Sequence, residues 1–188
     1  MGFKLKQSED QIILQTQHWI KETVIGLNFC PFASQSFFEN RILYQTVFNS
    51  NLNKSLESFI KVCNSLSELS EIETAFLIFP DNFSNFQDYL DLVDLAERLL
   101  NKEGLEGIYQ IASFHPLYIF AETEMDDPSN YTNRSPYPMI HVLREDSIER
   151  ALDKYPHPEQ IPKRNISKTH QLGLEHLKSL LKSCFEKN

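Results

Sequence analysis

The stretch Thr74-Ala75-Phe76-Leu77-Ile78-Phe79 decides the fold. Ala75 to Phe79 is an unbroken apolar run without polar alternation, stopped by Pro80-Asp81, and a run of that length reads as a strand buried on both faces. Just before it, Leu52 to Leu69 places apolar residues at 52, 56, 59, 60, 63, 66 and 69, the spacing of an amphipathic helix. Before that helix, Ile42 to Phe48 is rich in residues that favour strands. After the run, Ser84 to Glu103 predicts a second helix, with Phe86, Tyr89, Leu90, Val93, Ala96 and Leu100 inward and Gly104 past its end. Ile108 to Phe114 is the third strand. The order is βαβαβ, and right-handed crossovers of that kind make neighbouring parallel strands. The expected class is therefore α/β, with a small mostly parallel sheet and flanking helices.

Outside this core, Ser8-Glu9-Asp10-Gln11 reads as a capping box. It opens a helix carrying Ile12, Ile13, Thr16, Trp19, Ile20, Val24 and Leu27 at helical spacing, with Gly26 near its stop. From Pro136 onward the pattern predicts a helical C-terminal third. Met139, Ile140, Leu143, Ile148, Ala151, Leu152 and Tyr155 share a face, Pro156, Pro158 and Pro162 interrupt, and a final helix runs from about Ile166 through Gly173, Leu177 and Leu181 to Cys184. With no repeat or low-complexity linker, residues 1–188 are expected to form a single domain.

Composition narrows the classes of function. Hydrophobic residues make up 41% of the 188, enough to build a core and to exclude a disordered chain. No apolar run approaches the ~20 residues of a membrane-spanning helix. Met1 to Asp10 lacks the apolar stretch of a secretory leader, and Lys6 stands where a myristoylation motif after Gly2 needs Ser or Thr, so a cytoplasmic location is expected. Cys30, Cys63 and Cys184 are three in number and lack CxxC spacing, which suggests reduced thiols and no structural metal. A formal net charge of -8 argues against nucleic-acid binding. The charges are unevenly spread: Leu66 to Asp127 holds 14 acidic and 2 basic residues, Pro128 to Lys168 5 acidic and 7 basic. A small anionic molecule fits the second region; solvated helix faces are the simpler explanation of most charges.

Three places could carry chemistry. In an open parallel sheet, ligands bind beyond the carboxyl ends of the strands, which here means Asn49, Pro80-Asp81 and His115-Pro116, with His115 the titratable member. Cys30 precedes Pro31, so it stands as the cap of a short helix, where amide dipoles favour a thiolate. Phe29, Phe32 and Phe37 could equally enclose it as a small core residue. The third place is Asn130 to Arg144. Ser135-Pro136 there predicts a helix start that sets His141 and Arg144 on adjacent turns, with Asn133 and Arg134 in the loop before it as an anion site. Alternatively, Arg134 pairs with the acidic stretch Glu122 to Asp127 and pins the loop. Lys163-Arg164 reads as an ordinary surface pair.

The segments Ile25 to Ala33 and Thr132 to Glu145, with Trp19, Phe114-His115-Pro116 and Pro162 to Ile166, resemble a mainly bacterial family catalogued as domain of unknown function 1415. The likeness spans nearly the whole chain. It implies that Cys30, His115, Asn133, Arg134, Ser135, Pro136, Tyr137, Pro138, His141 and Arg144 lie in family-typical motifs, and it assigns no role to them.

Three readings of function follow. The first is an enzyme on a small anionic substrate, with Cys30 as nucleophile or redox thiol, His115 or His141 as general base, and Asn133, Arg134, Tyr137 and Arg144 holding the anion. The second is a metal or haem protein using Cys30, His115, His141 and Glu122. The third is a non-catalytic module that binds a ligand or partner through Pro128 to Arg164. The sequence assigns no cofactor and no oligomeric state.

Overall fold

In the computed structural model, which describes residues 7–186, the chain forms a four-stranded sheet in the order β1-β2-β4-β3. The strands are β1 (Ile42–Thr46), β2 (Thr74–Ile78), β3 (Tyr109–Phe114) and β4 (Met139–Arg144). Met1 to Lys6, on which most of the leader and lipidation readings fall, lie outside the described residues. β2 is buried along its whole length, as its lack of alternation demands. It pairs in parallel with β1, Ile42 opposite Thr74 and Thr46 opposite Ile78. The crossover is α3 (Leu52–Glu68), capped by the Asn51 side chain on the Lys54 amide. α4 (Phe86–Lys102), capped by Asn85, carries the chain from β2 to β3.

The α/β class and the βαβαβ order hold, with one correction to the pairing. β4 runs between β2 and β3, antiparallel to both, with His141 opposite Phe76 on one side and Ala112 on the other. β1, β2 and β3 share one direction, yet β1–β2 is the only parallel pairing of the three.

The same segment corrects the helix expected from Ser135-Pro136. A residue that precedes proline is pushed to extended backbone, and Pro136 and Pro138 impose that on Ser135 and Tyr137 together. The chain thus enters Met139 already extended, and Ile140 and Val142 are β-branched. Apolar residues at 139, 140 and 143 fit a strand covered on both faces as well as they fit a helix.

Period-two alternation divides the core. Ala75, Leu77, Phe79, Ile140 and Val142 face α3 and α4, where they pack with Phe59, Leu66, Tyr89 and Leu92. Each buried Val, Leu, Ile or Phe among them stabilises the fold by ~1.5–3 kcal/mol. Phe76, Ile78 and Met139 face the other way, onto Ile12, Trp19, Ile20 and Cys184. That second layer is built by α1 (Glu9–Trp19), α2 (Ala33–Phe38) and the C-terminal α7 (Leu174–Ser183). α1 begins with the expected capping box, Ser8 with Gln11, and continues as a wider π-helical turn over Ile20–Ile25. Gly26 ends that turn where a Cβ would collide with the Glu22 carbonyl oxygen.

The C-terminal third contains α5 (Glu145–Leu152), α6 (Ile161–Leu172) and α7, so it is helical after β4. The single final helix expected from Ile166 is two helices. Gly173, at φ 78°, turns the chain between them in a conformation other residues resist.

Candidate functional site

On the face of the sheet opposite α3 and α4 lies a cavity of about 590 Å³. Its floor is sheet: Ile42, Thr74 and Phe76, Ala112 and Phe114, His141 and Leu143. One wall is Trp19, Ile20 and Val24 with the Cys30-to-Ser36 segment, and the other is Ser147, Ile148 and Ala151 of α5 with Tyr155. Arg41, Glu73, Arg150 and Lys154 complete it. Its lining reaches the ends where β1 and β2 begin, at Arg41, Ile42, Glu73 and Thr74. The carboxyl edge, where sequence placed the ligand, is tied to itself. Asp81 accepts from the Asn49 amide at 3.0 Å and Asn82 donates to Ser50 O. With β4 filling the place between β2 and β3, the gap that a parallel sheet opens at its switch point is absent.

His141 stands at the centre of the floor. Its ring stacks on Phe76, centroids 3.9 Å apart and planes 6° from parallel. The Thr74 hydroxyl lies 2.6 Å from Val142 O and 2.5 Å from His141 Nε2. A hydroxyl has one proton, and the carbonyl can only accept, so Thr74 donates to Val142 O and accepts from Nε2–H. Nδ1 therefore keeps its lone pair. It has no protein partner, and it is not sealed from solvent: among the described residues Thr23 Oγ1 is the buried side-chain N or O atom left unpartnered. Burial pushes the imidazole pKa down to about 3, so the ring is neutral at physiological pH.

Cys30 occupies the turn before α2, and helix capping falls to Phe32. Burial raises the thiol above its ordinary range, against the smaller, opposing influence of the Phe32 and Ala33 amides and the Arg164 charge. The thiolate expected from a helix start is thus not favoured at rest. α2 is only six residues long and its dipole is correspondingly small. The turn is pinned from α6. Arg164 donates to Asn28 O and, at 2.7 Å, to the Tyr155 hydroxyl, while Asn165 donates to Phe29 O at 2.7 Å. The pair read as ordinary surface thus contains a wall anchor.

The cations differ in what holds them. Arg41 pairs with Glu73 at 2.5 Å, Glu73 accepts from Ser147, and Arg150 donates to Ser147 Oγ at 3.0 Å. Arg144 points its guanidinium to the far side of the sheet, donating to Ile72 O at 2.9 Å, Leu69 O at 3.1 Å and Leu66 O, so it closes the end of α3. Lys154 is exposed and has no partner among the described residues.

Of the residues singled out from sequence, Cys30, His141 and Arg144 line this cavity, and His115, Asn133, Arg134 and Tyr137 do not. His115 is fully buried between Phe86 and Tyr89, its Nδ1 accepting from the Leu117 amide at 2.9 Å and its Nε2 donating to Phe83 O at 2.8 Å. Both nitrogens are occupied, Nε2 on the carbonyl of Phe83, whose φ is 56°, and Nδ1 on the Leu117 amide. Asn133 donates to Ser113 O at 3.1 Å. Arg134 is buried and does pin its loop, through the carbonyls of Tyr118 and Met125 and not through carboxylates, while its own carbonyl accepts from Trp19 Nε1 at 3.0 Å. The Tyr137 hydroxyl bonds Gln7 and Gln15. Thr74, Arg41, Arg150 and Lys154 were not singled out. The available signals were a hydroxyl opening an apolar strand and two cations four positions apart at the end of the amphipathic stretch Ile148 to Tyr155.

Residues 11–179 match the family profile described as "Protein of unknown function (DUF1415)". The chain belongs to this family. The span shared with DUF1415 covers every residue lining the cavity, from Trp19 to Tyr155, and also Arg164 and Asn165, which anchor its wall. Comparison with curated proteins and with solved structures returns no match. Among the described residues no helix is long and apolar enough to cross a membrane, and no three of His, Cys, Asp and Glu converge as a metal-binding group.

Proposed function

We propose that this cavity is the working site of the protein and that it binds a small organic anion. The observation that carries the reading is a local reversal of charge. In a chain of formal net charge -8, Arg41, Arg150 and Lys154 line the cavity against Glu73, the one acid among the described lining residues, while Arg144 turns its guanidinium to the far side of the sheet. Its floor is apolar and aromatic, so the ligand's carbon skeleton lies on the sheet and its anionic group meets Arg150 and Lys154 at the rim.

A second reading, in which Cys30 attacks the bound molecule, is supported by one observation: Cys30 and His141 both line the cavity. A bound anion does not lower a thiol pKa, and His141 at about 3 is a weak base, so binding is the better supported function.

Calorimetric and thermal-shift titration with aromatic and aliphatic carboxylates and phosphate esters tests the proposal. Binders are expected to stabilise the protein, and the double variant Arg150→Glu, Lys154→Glu should weaken them at least about tenfold while leaving the ligand-free melting temperature unchanged. Absence of stabilisation by any such anion overturns it.

A further inference from the structure

The cationic rim says nothing of what the ligand's skeleton must present at the floor, and there the chemistry is specific. Thr74 has spent its single proton on Val142 O and accepts from His141 Nε2–H, so the tautomer is set by the fold. Rotation of the ring is opposed by its stack on Phe76. What faces the cavity is an acceptor, the Nδ1 lone pair, on a ring enclosed by apolar neighbours and lacking a protein donor. An acceptor in such a place favours a ligand that brings a donor and disfavours one that covers it with carbon. The surroundings add a shape. Phe76 and His141 lie 6° from parallel, and Phe114 and Phe76 meet Trp19 edge-on at 5.1 and 6.3 Å, so the space beside the imidazole is bounded by planar rings. Ala112, in register with His141, leaves room beside the ring.

We propose that His141 determines specificity, and that the ligand is an anionic compound built on a flat ring whose N–H or O–H is donated to Nδ1. The proposal rests on the anion-binding reading and deepens it.

The test uses the full chain and two matched probes, 6-hydroxy-2-naphthoate and 6-methoxy-2-naphthoate, titrated by fluorescence. The hydroxyl probe is expected to bind about tenfold or more tightly than the methoxy probe. In His141→Phe that ratio should fall to about one, and in Thr74→Val, where the proton is free to move to Nδ1, it should fall as well. Nitrogen-15 NMR of the ligand-free protein at pH 7 is expected to report His141 as the Nε2–H tautomer. An Nδ1–H tautomer overturns the proposal without reference to any ligand, and so keeps it testable if a variant fails to fold. Equal binding of the two probes, with binding still lost in Arg150→Glu, Lys154→Glu, overturns donor selection and leaves the anion site standing. Failure of both probes and of every other anion overturns the two together.

Discussion

Replacing Thr74 by valine removes one oxygen and keeps the shape, so its effect is set by two hydrogen bonds and the proton they position. Thr74 Oγ1 spans Val142 O at 2.6 Å and His141 Nε2 at 2.5 Å. Each bond contributes ~1 kcal/mol net, and a buried donor left without an acceptor costs a further ~1–3 kcal/mol. The imidazole escapes part of that cost by moving its proton to Nδ1, where cavity water takes it. The expected loss is therefore ~2 kcal/mol, measured by urea unfolding followed by circular dichroism. At this chain length it corresponds to a fall of about 4–8 °C in melting temperature. Thr74→Ser, which keeps the hydroxyl, should lose about half as much or less. A Thr74→Val protein as stable as the parent to within ~0.5 kcal/mol would refute the relay from Val142 through Thr74 to His141.

Acid should destabilise the fold through the same histidine. With its folded pKa at about 3 against an ordinary ~6.5, the unfolded chain takes up the proton first. Stability is complete above about pH 6.5 and falls by about 1.4 kcal/mol per unit as pH drops toward 3. His115, also held below its ordinary range by burial, adds to the slope with the same sign. His141→Phe should flatten unfolding free energy between pH 6.5 and 5, and an unchanged slope would count against a buried neutral ring. Cys30, raised by burial, should react with iodoacetamide at pH 7 more slowly than free cysteine and accelerate only above the ordinary thiol range. A rate above that of free cysteine would restore the nucleophile reading. His115→Ala should cost ~2–4 kcal/mol of stability by releasing Phe83 and the Leu117 amide, yet leave ligand affinity in the cavity within about twofold. A large loss of affinity in a folded His115→Ala protein would place that histidine in function after all.

The parts of the fold that were legible are those where one physical demand dominates. Ala75 to Phe79 is too short for a helix and is stopped by Pro80-Asp81, so length and its boundary made it a covered strand, and α3 and α4 carry unambiguous stripes. Ser8 and Gln11 satisfy each other's backbone as their spacing requires. β4 was misread because a segment buried on both sides has no polar face, so periodicity does not separate helix from strand; the paired prolines were the better guide. The site was half legible for a related reason. Cys30 and His141 are chemically conspicuous and do line the cavity, whereas His115 and Arg134 are equally conspicuous and have their polar atoms occupied by backbone groups. Which of these outcomes a residue meets depends on partners far away in the chain, such as Met125 O or Phe83 O, that no local spacing reveals. Thr74 was passed over because its importance lies wholly in a partner 67 positions onward.

The placement of β4 also bears on how the chain is made. Synthesis delivers β1, β2 and β3 with both crossover helices well before residues 139–144 leave the ribosome. Until then one edge of β2, the most apolar strand, has open amides and carbonyls, and the nearest strand able to meet them is β3 in parallel. The late strand must claim that edge first or part a premature pair. Any assistance by a chaperone is expected to fall in that interval, between the emergence of Phe114 and that of Arg144.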